Sequence, residues 1–166
     1  MVKFFLIFSA AILFNNANAE NIYGKAKIID GDTVHIKSYK VRLEGIDAPE
    51  IKQKCKKVFL KIAVIIGLNF SKDYACGMIS KKKLINKIDN IKIMCISLSK
   101  DRYKRYLATC YKNDIELNKW MVRNGHAVAY KRYSKKYVQD ENYAKKNKLG
   151  LWQGKFIRPE KWRKLN

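Results

Sequence analysis

Three short runs of alternating apolar and polar residues lie near the start of the chain, two more flank a tight polar loop in its middle, and helical signatures are confined to the later part. Together these predict an α+β protein, a closed five-stranded β-barrel of the OB type (an OB-fold) carrying about three α-helices. The 166 residues fit one domain once a leader is set aside. "MVKFFLIFSAAILFNNANAE" has an early lysine, an apolar run from Phe4 to Phe14 and a small-residue "ANA". This is the layout of a signal peptide over residues 1–19, cleaved before Glu20. Its apolar run of 11 residues is too short to span a bilayer comfortably, and an uncleaved anchor is the weaker reading. The domain expected after it spans residues 20–166.

"IYGKAKIIDGDTVHIKSYKVRLEGID" alternates over roughly residues 22–29, 33–37 and 40–46, with Asp30-Gly31 and Ser38-Tyr39 between the runs. The pattern predicts a three-stranded meander with Asp-Gly as its first turn, and Pro49 ends the third strand. "VFLKIAVIIGLNF" has no clear period and reads as a buried helix or part of a strand. Residues 76–88 read as a helix. "IKIMCISL" and "RYLATCYK" form a hairpin about "SKDRYK". "DIELNKWMVRNGHA" is a helix stopped by Gly125, and "SKKYVQDENYAKKNKLG" is another, with Ser134 as N-cap and Gly150 as C-cap. The tail "LWQGKFIRPEKWRK" is expected to be irregular and to pack through Trp152, Phe156 and Trp162.

The four cysteines contain no C-x-x-C pair, which argues against a zinc site. An even count in an exported chain points to disulfides. Centring the hairpin between Arg102 and Tyr103 sets Cys95 opposite Cys110, and directly opposed residues come near enough to bridge. Cys55 with Cys76 follows by elimination.

Lys and Arg number 36 against 14 Asp and Glu, and removing the leader leaves a net charge of +21. Such a charge selects polyanionic partners, nucleic acid first and anionic membrane surfaces second, although many of the lysines stand in runs that are simply solvated. Against this background five of the fourteen acids, Asp30, Asp32, Glu44, Asp47 and Glu50, fall within 21 residues. A bound cation, a catalytic base, or both would explain the cluster, and acids favoured by turns and paired with lysines would explain it too. Hard cations prefer oxygen ligands, so such a site needs neither His35 nor His126. Phosphodiester hydrolysis needs a base for water, positive charge against the phosphate, and fixed donors for the charge that builds in the transition state. Arg42 and Arg105 have the planar fork that holds two phosphate oxygens. "AVAYKRYSKKY" interleaves tyrosine with cations, which makes Tyr130 and Tyr133 candidates for base stacking; a half-buried Tyr130 in a solvated loop is the structural alternative.

"IDGDTV", "VRLEGIDAPE", "DRYKRYLATCY", "LNKWMVRNGHAVAY" and "GLWQGKFIRPEKW", in that order, resemble the micrococcal (staphylococcal) nuclease or thermonuclease family over about residues 22–163. The resemblance implies an OB-fold endonuclease, dependent on Ca2+, acting on DNA and RNA and leaving 3′-phosphorylated products. It implies Asp32, Asp47 and the backbone carbonyl of Ala48 as metal ligands. Glu50 matches the general base, Arg42 and Arg105 the catalytic arginines, and Asp30 a supporting acid. Arg102 and Tyr103 match positions that contact the substrate's phosphate end. Two departures stand out. Lys104 replaces the glycine usual before the second arginine, and at a position of positive φ it would strain the loop and misplace Arg105. The segment between Glu50 and Cys76 is more apolar than usual, which bears on substrate preference. The expectation is therefore an exported, periplasmic or secreted monomeric nuclease with no protein partner and no stable membrane insertion. A catalytically silent OB module that binds nucleic acid, or a basic protein that binds anionic lipid, are the rival readings.

Overall fold

Alternation places one set of side chains on a single face of each early strand, and burial follows it. The computed structural model describes residues 19–58 and 71–166; the expected signal peptide and most of the apolar 58–70 run lie outside them. β1 (Glu20–Gly24) buries Ile22, β3 (Thr33–Ile36) buries Val34 and Ile36, and β4 (Tyr39–Leu43) buries Val41 and Leu43. The run expected as one strand over 22–29 is two, because β2 (Ala26–Ile28) leaves the β1 partner and pairs with β3. Along the sheet the order is β1-β8-β9-β4-β3-β2, where β8 is Ile93–Lys100 and β9 is Tyr106–Lys112. Strands β1 and β2 are separated only by Lys25 yet stand at opposite ends of that order. The sheet must therefore curl until its two ends meet, which is the OB-like half-barrel in an α+β fold. All these pairings are antiparallel except β4 with β9.

The central hairpin has the expected centre: Cys95 faces Cys110, and a bulge between Ser97 and Ser99 bends the strand beyond them. Cys95–Cys110 and Cys55–Cys76 both form disulfides. The second lies outside the barrel, where β6 (Cys55–Val58) pairs with β7 (Ser71–Tyr74) and meets α1 (Cys76–Ile88). Helix α1 has the expected bounds and turns Leu84 and Ile88 into the barrel core, which Leu117, Met121 and Val122 of α2 (Leu117–Arg123) share. The glycine stop after α2 is real, since Gly125 has φ of +67°.

Three expectations change. The helix placed after Ser134 starts later: α3 is Val138–Lys146, with Tyr137 at its N-cap. The Ser134 hydroxyl instead accepts the Lys136 amide in a local turn, so it is not free to cap. Nor does Gly150 cap that helix. It opens a 3-10 turn, Gly150–Gln153, lying against Gly125 so closely that a Cβ on Gly150 would stand 2.3 Å from the Gly125 carbonyl oxygen. The tail is ordered rather than irregular. After the 3-10 turn, β12 (Gly154–Lys155) adds to β6, and α4 (Pro159–Leu165) begins with proline at its first turn. Trp152 packs edge-on against Phe156 as expected, with ring centres 4.9 Å apart, and Trp162 is half-buried. β5 (Ile46–Asp47) and β11 (Val128–Ala129) form a short separate ladder, and β10 (Ile115–Glu116) pairs with β9.

Candidate active site

The "DGDT" turn is closed by its own first acid: Asp30 Oδ1 accepts the Asp32 amide at 2.9 Å, a local bond that aspartate favours at turns. The chain then enters β3 with Asp32 pointing inward and almost wholly buried. Asp32 Oδ2 accepts the Ala48 amide at 2.6 Å and Oδ1 accepts the Thr33 hydroxyl at 3.1 Å. Two glycines allow this crowding. A Cβ on Gly31 would stand 2.0 Å from the Ser80 hydroxyl of α1, and one on Gly77 would stand 1.7 Å from the Glu50 carbonyl oxygen. Helix α1 is thus pressed against the backbone of both acidic segments.

Arg42 lies opposite Thr33 in the β3–β4 ladder, which aims its guanidinium at the two inner acids. Nη1 donates to Asp32, and Nη2 donates to Asp47 Oδ1 at 3.0 Å. Asp47 is held by the β5–β11 ladder and is also buried. Its Oδ1 takes a second guanidinium, Nη1 of Arg163 at 2.9 Å, and the same Nη1 donates to Glu50 Oε1 at 2.8 Å. Asp47 Oδ2 is buried with no hydrogen-bond partner among the described residues. Burial raises the Asp47 carboxyl above the ordinary carboxylate range, against the opposing pull of Arg163 and Arg42. Burial likewise raises Asp32, to about 8, with Arg42 pulling the other way.

Glu50 sits at the rim, about one-third exposed, on a bend set by Gln53. Gln53 is fully buried; its amide donates to the Glu50 carbonyl at 2.8 Å and its Oε1 accepts the Glu50 amide. Nε2 of Gln53 donates onward to the Ile157 carbonyl in the tail. Arg105 reaches the groove from the other hairpin. Lys104 has φ of +62°, so its position is indeed one that favours glycine. Arg105 is nonetheless fixed, because Asp101 Oδ2 accepts Nε at 2.8 Å and Nη2 at 2.7 Å while Oδ1 accepts the Arg105 and Tyr103 amides. Burial opposes ionisation of Asp101, but these bonds to Arg105 outweigh it and hold the carboxyl below its usual value.

A groove of about 810 Å³ runs over the cluster, and Asp30, Arg42, Glu50, Arg102, Tyr103, Arg105, Tyr130 and Tyr133 all line it. Asp32, Asp47 and Ala48 are buried beside these residues, so the fold gathers every residue singled out above. Tyr130 is half-buried and meets the exposed Tyr133 edge-on at 4.7 Å. Arg102 and Arg105 lie 4.8 and 5.4 Å from the Tyr103 ring centre. Neither histidine lines the groove. Sequence reasoning missed Arg163, Gln53 and Asp101. "DRYKR" carried a signal for the last, an acid four residues before the arginine it orients.

Among the described residues no three carboxylate, imidazole or thiolate side chains converge as a ready-made metal cage. The donor set that fits a hard cation is smaller: the unpartnered Asp47 Oδ2, the neighbouring Asp32 and backbone oxygen, completed by water.

The chain is similar to several known proteins. It is 33% identical over 172 residues to an uncharacterized endonuclease of Haemophilus influenzae, covering 99% of this chain and 84% of that one. It is 31% identical over 150 residues to the succinoglycan biosynthesis protein ExoI of Rhizobium meliloti, covering 88% and 73%. A probable staphylococcal-like nuclease of rice, CAN3, is 28% identical over 136 residues, covering 80% of this chain and 30% of that protein. Residues 40–154, which include Arg42, Asp47, Glu50 and Arg105, match the family described as staphylococcal nuclease homologue, and the chain belongs to that nuclease family.

Proposed function

We propose that the protein is an exported nuclease that uses calcium to hydrolyse the phosphodiester bonds of DNA and RNA, leaving 3′-phosphates. The observation that carries this reading is the unpartnered, buried Asp47 Oδ2 beside Asp32, under a groove whose walls supply a carboxylate and arginines. Asp32, Asp47 and the Ala48 carbonyl would hold the ion, which when bound supplies positive charge against the phosphate. Glu50, at the rim, accepts the proton of the attacking water. The new bond joins water oxygen to phosphorus, the bond to the 5′ oxygen breaks, and that oxygen leaves as a hydroxyl by taking a proton from solvent. Arg42 and Arg105 hold the phosphoryl oxygens, where charge builds. Arg105 is already oriented by Asp101. Arg42, bonded here to Asp32 and Asp47, would turn one of those bonds to phosphate, a change that a cation held by the acids would favour by offsetting their charge. Arg102 and Tyr103, on the groove wall, would contact the substrate's phosphate end, and Tyr130 and Tyr133 would offer rings to bases. Export agrees with the amino-terminal layout and with two disulfides, which persist in oxidising compartments.

The test is cleavage of plasmid and RNA with calcium or chelator, by the parent and by Glu50→Gln. The variant keeps the shape and removes the base, so rate should fall about a hundredfold or more. DNA affinity should persist, because the positive surface remains. If Glu50→Gln cleaves at the parental rate, the acids are turn residues and the silent binding module becomes the better reading.

A further inference from the structure

The carboxyl-terminal helix ends over the acidic cluster, and its placement is not left to the helix itself. Three ties fix the segment that leads into it. Strand β12 pairs with β6, the Ile157 carbonyl accepts Gln53 Nε2 at 2.7 Å, and Arg158 is bonded both to Glu141 at 3.0 Å and to the Ala129 carbonyl at 2.8 Å. Gln53 is the same residue that sets the Glu50 bend. Gln53 therefore ties the tail directly to the bend. From that anchored base Arg163 projects into the groove, and one nitrogen, Nη1, meets Glu50 Oε1 and Asp47 Oδ1 together.

We propose that Arg163 is a positioning residue of the active site, delivered by the last helix, which holds the Glu50 carboxylate against the inner acids in the orientation from which it works on water. The inference rests on the nuclease reading above. Among the described residues Glu50 has Arg163 as its single partner of opposite charge, whereas Asp32 is held by Arg42 and Asp47 by both arginines. A glutamate at a rim has several rotamers, and a base displaced by an ångström loses much of its rate. The guanidinium fixes the rotamer without reaching Asp47 Oδ2, which stays open. Charge at Nη1 also sets a cost: a cation entering beside Asp47 meets a guanidinium already there, so Arg163 weakens metal binding while it improves catalysis.

The experiment compares the parent with Arg163→Ala, Arg163→Lys and Leu165→Ala, the last an exposed control on the same helix. For each, kcat and KM are measured on a single-stranded DNA oligonucleotide with calcium, with and without sub-denaturing guanidinium. Calcium affinity is measured separately by calorimetry without nucleic acid. Arg163→Ala should lose about tenfold to a hundredfold in kcat with little change in KM. Added guanidinium should restore part of that loss, as should Arg163→Lys, which keeps the charge without the planar fork. Calcium affinity of Arg163→Ala should rise several-fold, because a positive charge has left Asp47. Leu165→Ala should match the parent throughout. Parental kcat in Arg163→Ala overturns the proposal, and so does a faster variant, which would make Arg163 an inhibitory latch. A fall in calcium affinity with no rescue by guanidinium also overturns it, showing that the residue only anchors the tail. A parent that never cleaves overturns the nuclease reading and this one together, whereas a cleaving parent matched by Arg163→Ala removes this one alone.

Discussion

Replacing Glu141 by alanine should loosen the tail where Arg158 anchors it. Its carboxylate is fully buried; it accepts Arg158 at 3.0 Å and the Ala129 amide at 3.2 Å and forms ion pairs with Lys145 at 2.9 Å and Lys131 at 3.5 Å. Removing one partner of a buried pair costs about 3–5 kcal/mol when the other is left uncompensated. Here the cations are 27 to 44% exposed and recover part of their hydration, which puts the loss at the lower end, about 3 kcal/mol. In a domain of this size that corresponds to a fall of about 10 °C in Tm. Burial pushes the Glu141 carboxyl up, but Lys145 and Arg158 more than compensate, and it lies below its ordinary 4.5. A depressed carboxylate stabilises fully above its unfolded value, and that stabilisation fades as pH falls through the folded one. The difference between parent and Glu141→Ala should therefore be full at pH 7 and close in acid. Urea denaturation across a pH series reads both quantities. A loss below about 1 kcal/mol, or a difference that does not shrink in acid, would refute the reasoning.

His126 is mostly buried beside Trp120, and burial, followed by the charge of Lys83, lowers its pKa to about 4. Stability should be lost as pH falls from about 6.5 to 4, by at most about 3 kcal/mol, and His126→Gln should flatten that part of the profile in denaturant titrations. Lys104→Gly should stabilise by about 1 kcal/mol or less, since glycine adopts its φ of +62° without the side-chain penalty but gains freedom when unfolded. Cleavage should be unchanged in that variant yet fall in Asp101→Ala, where Arg105 loses its orienting acid; an equal effect of both on kcat would contradict this division. Replacing Cys95 and Cys110 together by alanine opens a link of sequence separation 15 and should cost about 3 kcal/mol in urea denaturation, whereas an unchanged midpoint would mean that the ladder alone suffices.

Much of this architecture could be read before any coordinates. Helix α1 was legible to the residue because its buried positions recur at helical spacing, and the hairpin was legible because a polar loop fixes its centre and so the Cys95–Cys110 pairing. The acids stood out against an otherwise basic chain. What escaped depended on distant partners. Alternation runs on through residues 22–28, and Gly24 is the one weak local mark where β1 gives way to β2; the break exists because each half answers to a different strand. Helix α4 has seven residues, too few to persist alone, and its order comes from Gln53 and Glu141 far away in sequence. Arg163 was for that reason one basic residue among many.

The meeting of the sheet's two ends also says something about how the chain assembles. Ile22 pairs with Cys95, while Ala26, just after it, pairs with Ile36. The meander from β2 to β4 closes over short loops and is available early, as is the β8–β9 hairpin. Joining them requires β1 to find β8 and the parallel β4–β9 contact to form, with Ile22 73 residues from Cys95 and Val41 65 residues from Tyr106. Such non-local closure is the slow step in small β-rich domains. The segment around Lys25 belongs to both halves, and refolding should therefore be paced by this one junction. A single cut there would make the β1–β8 pairing bimolecular, with a rate that depends on concentration, and leave the β4–β9 contact an intramolecular search.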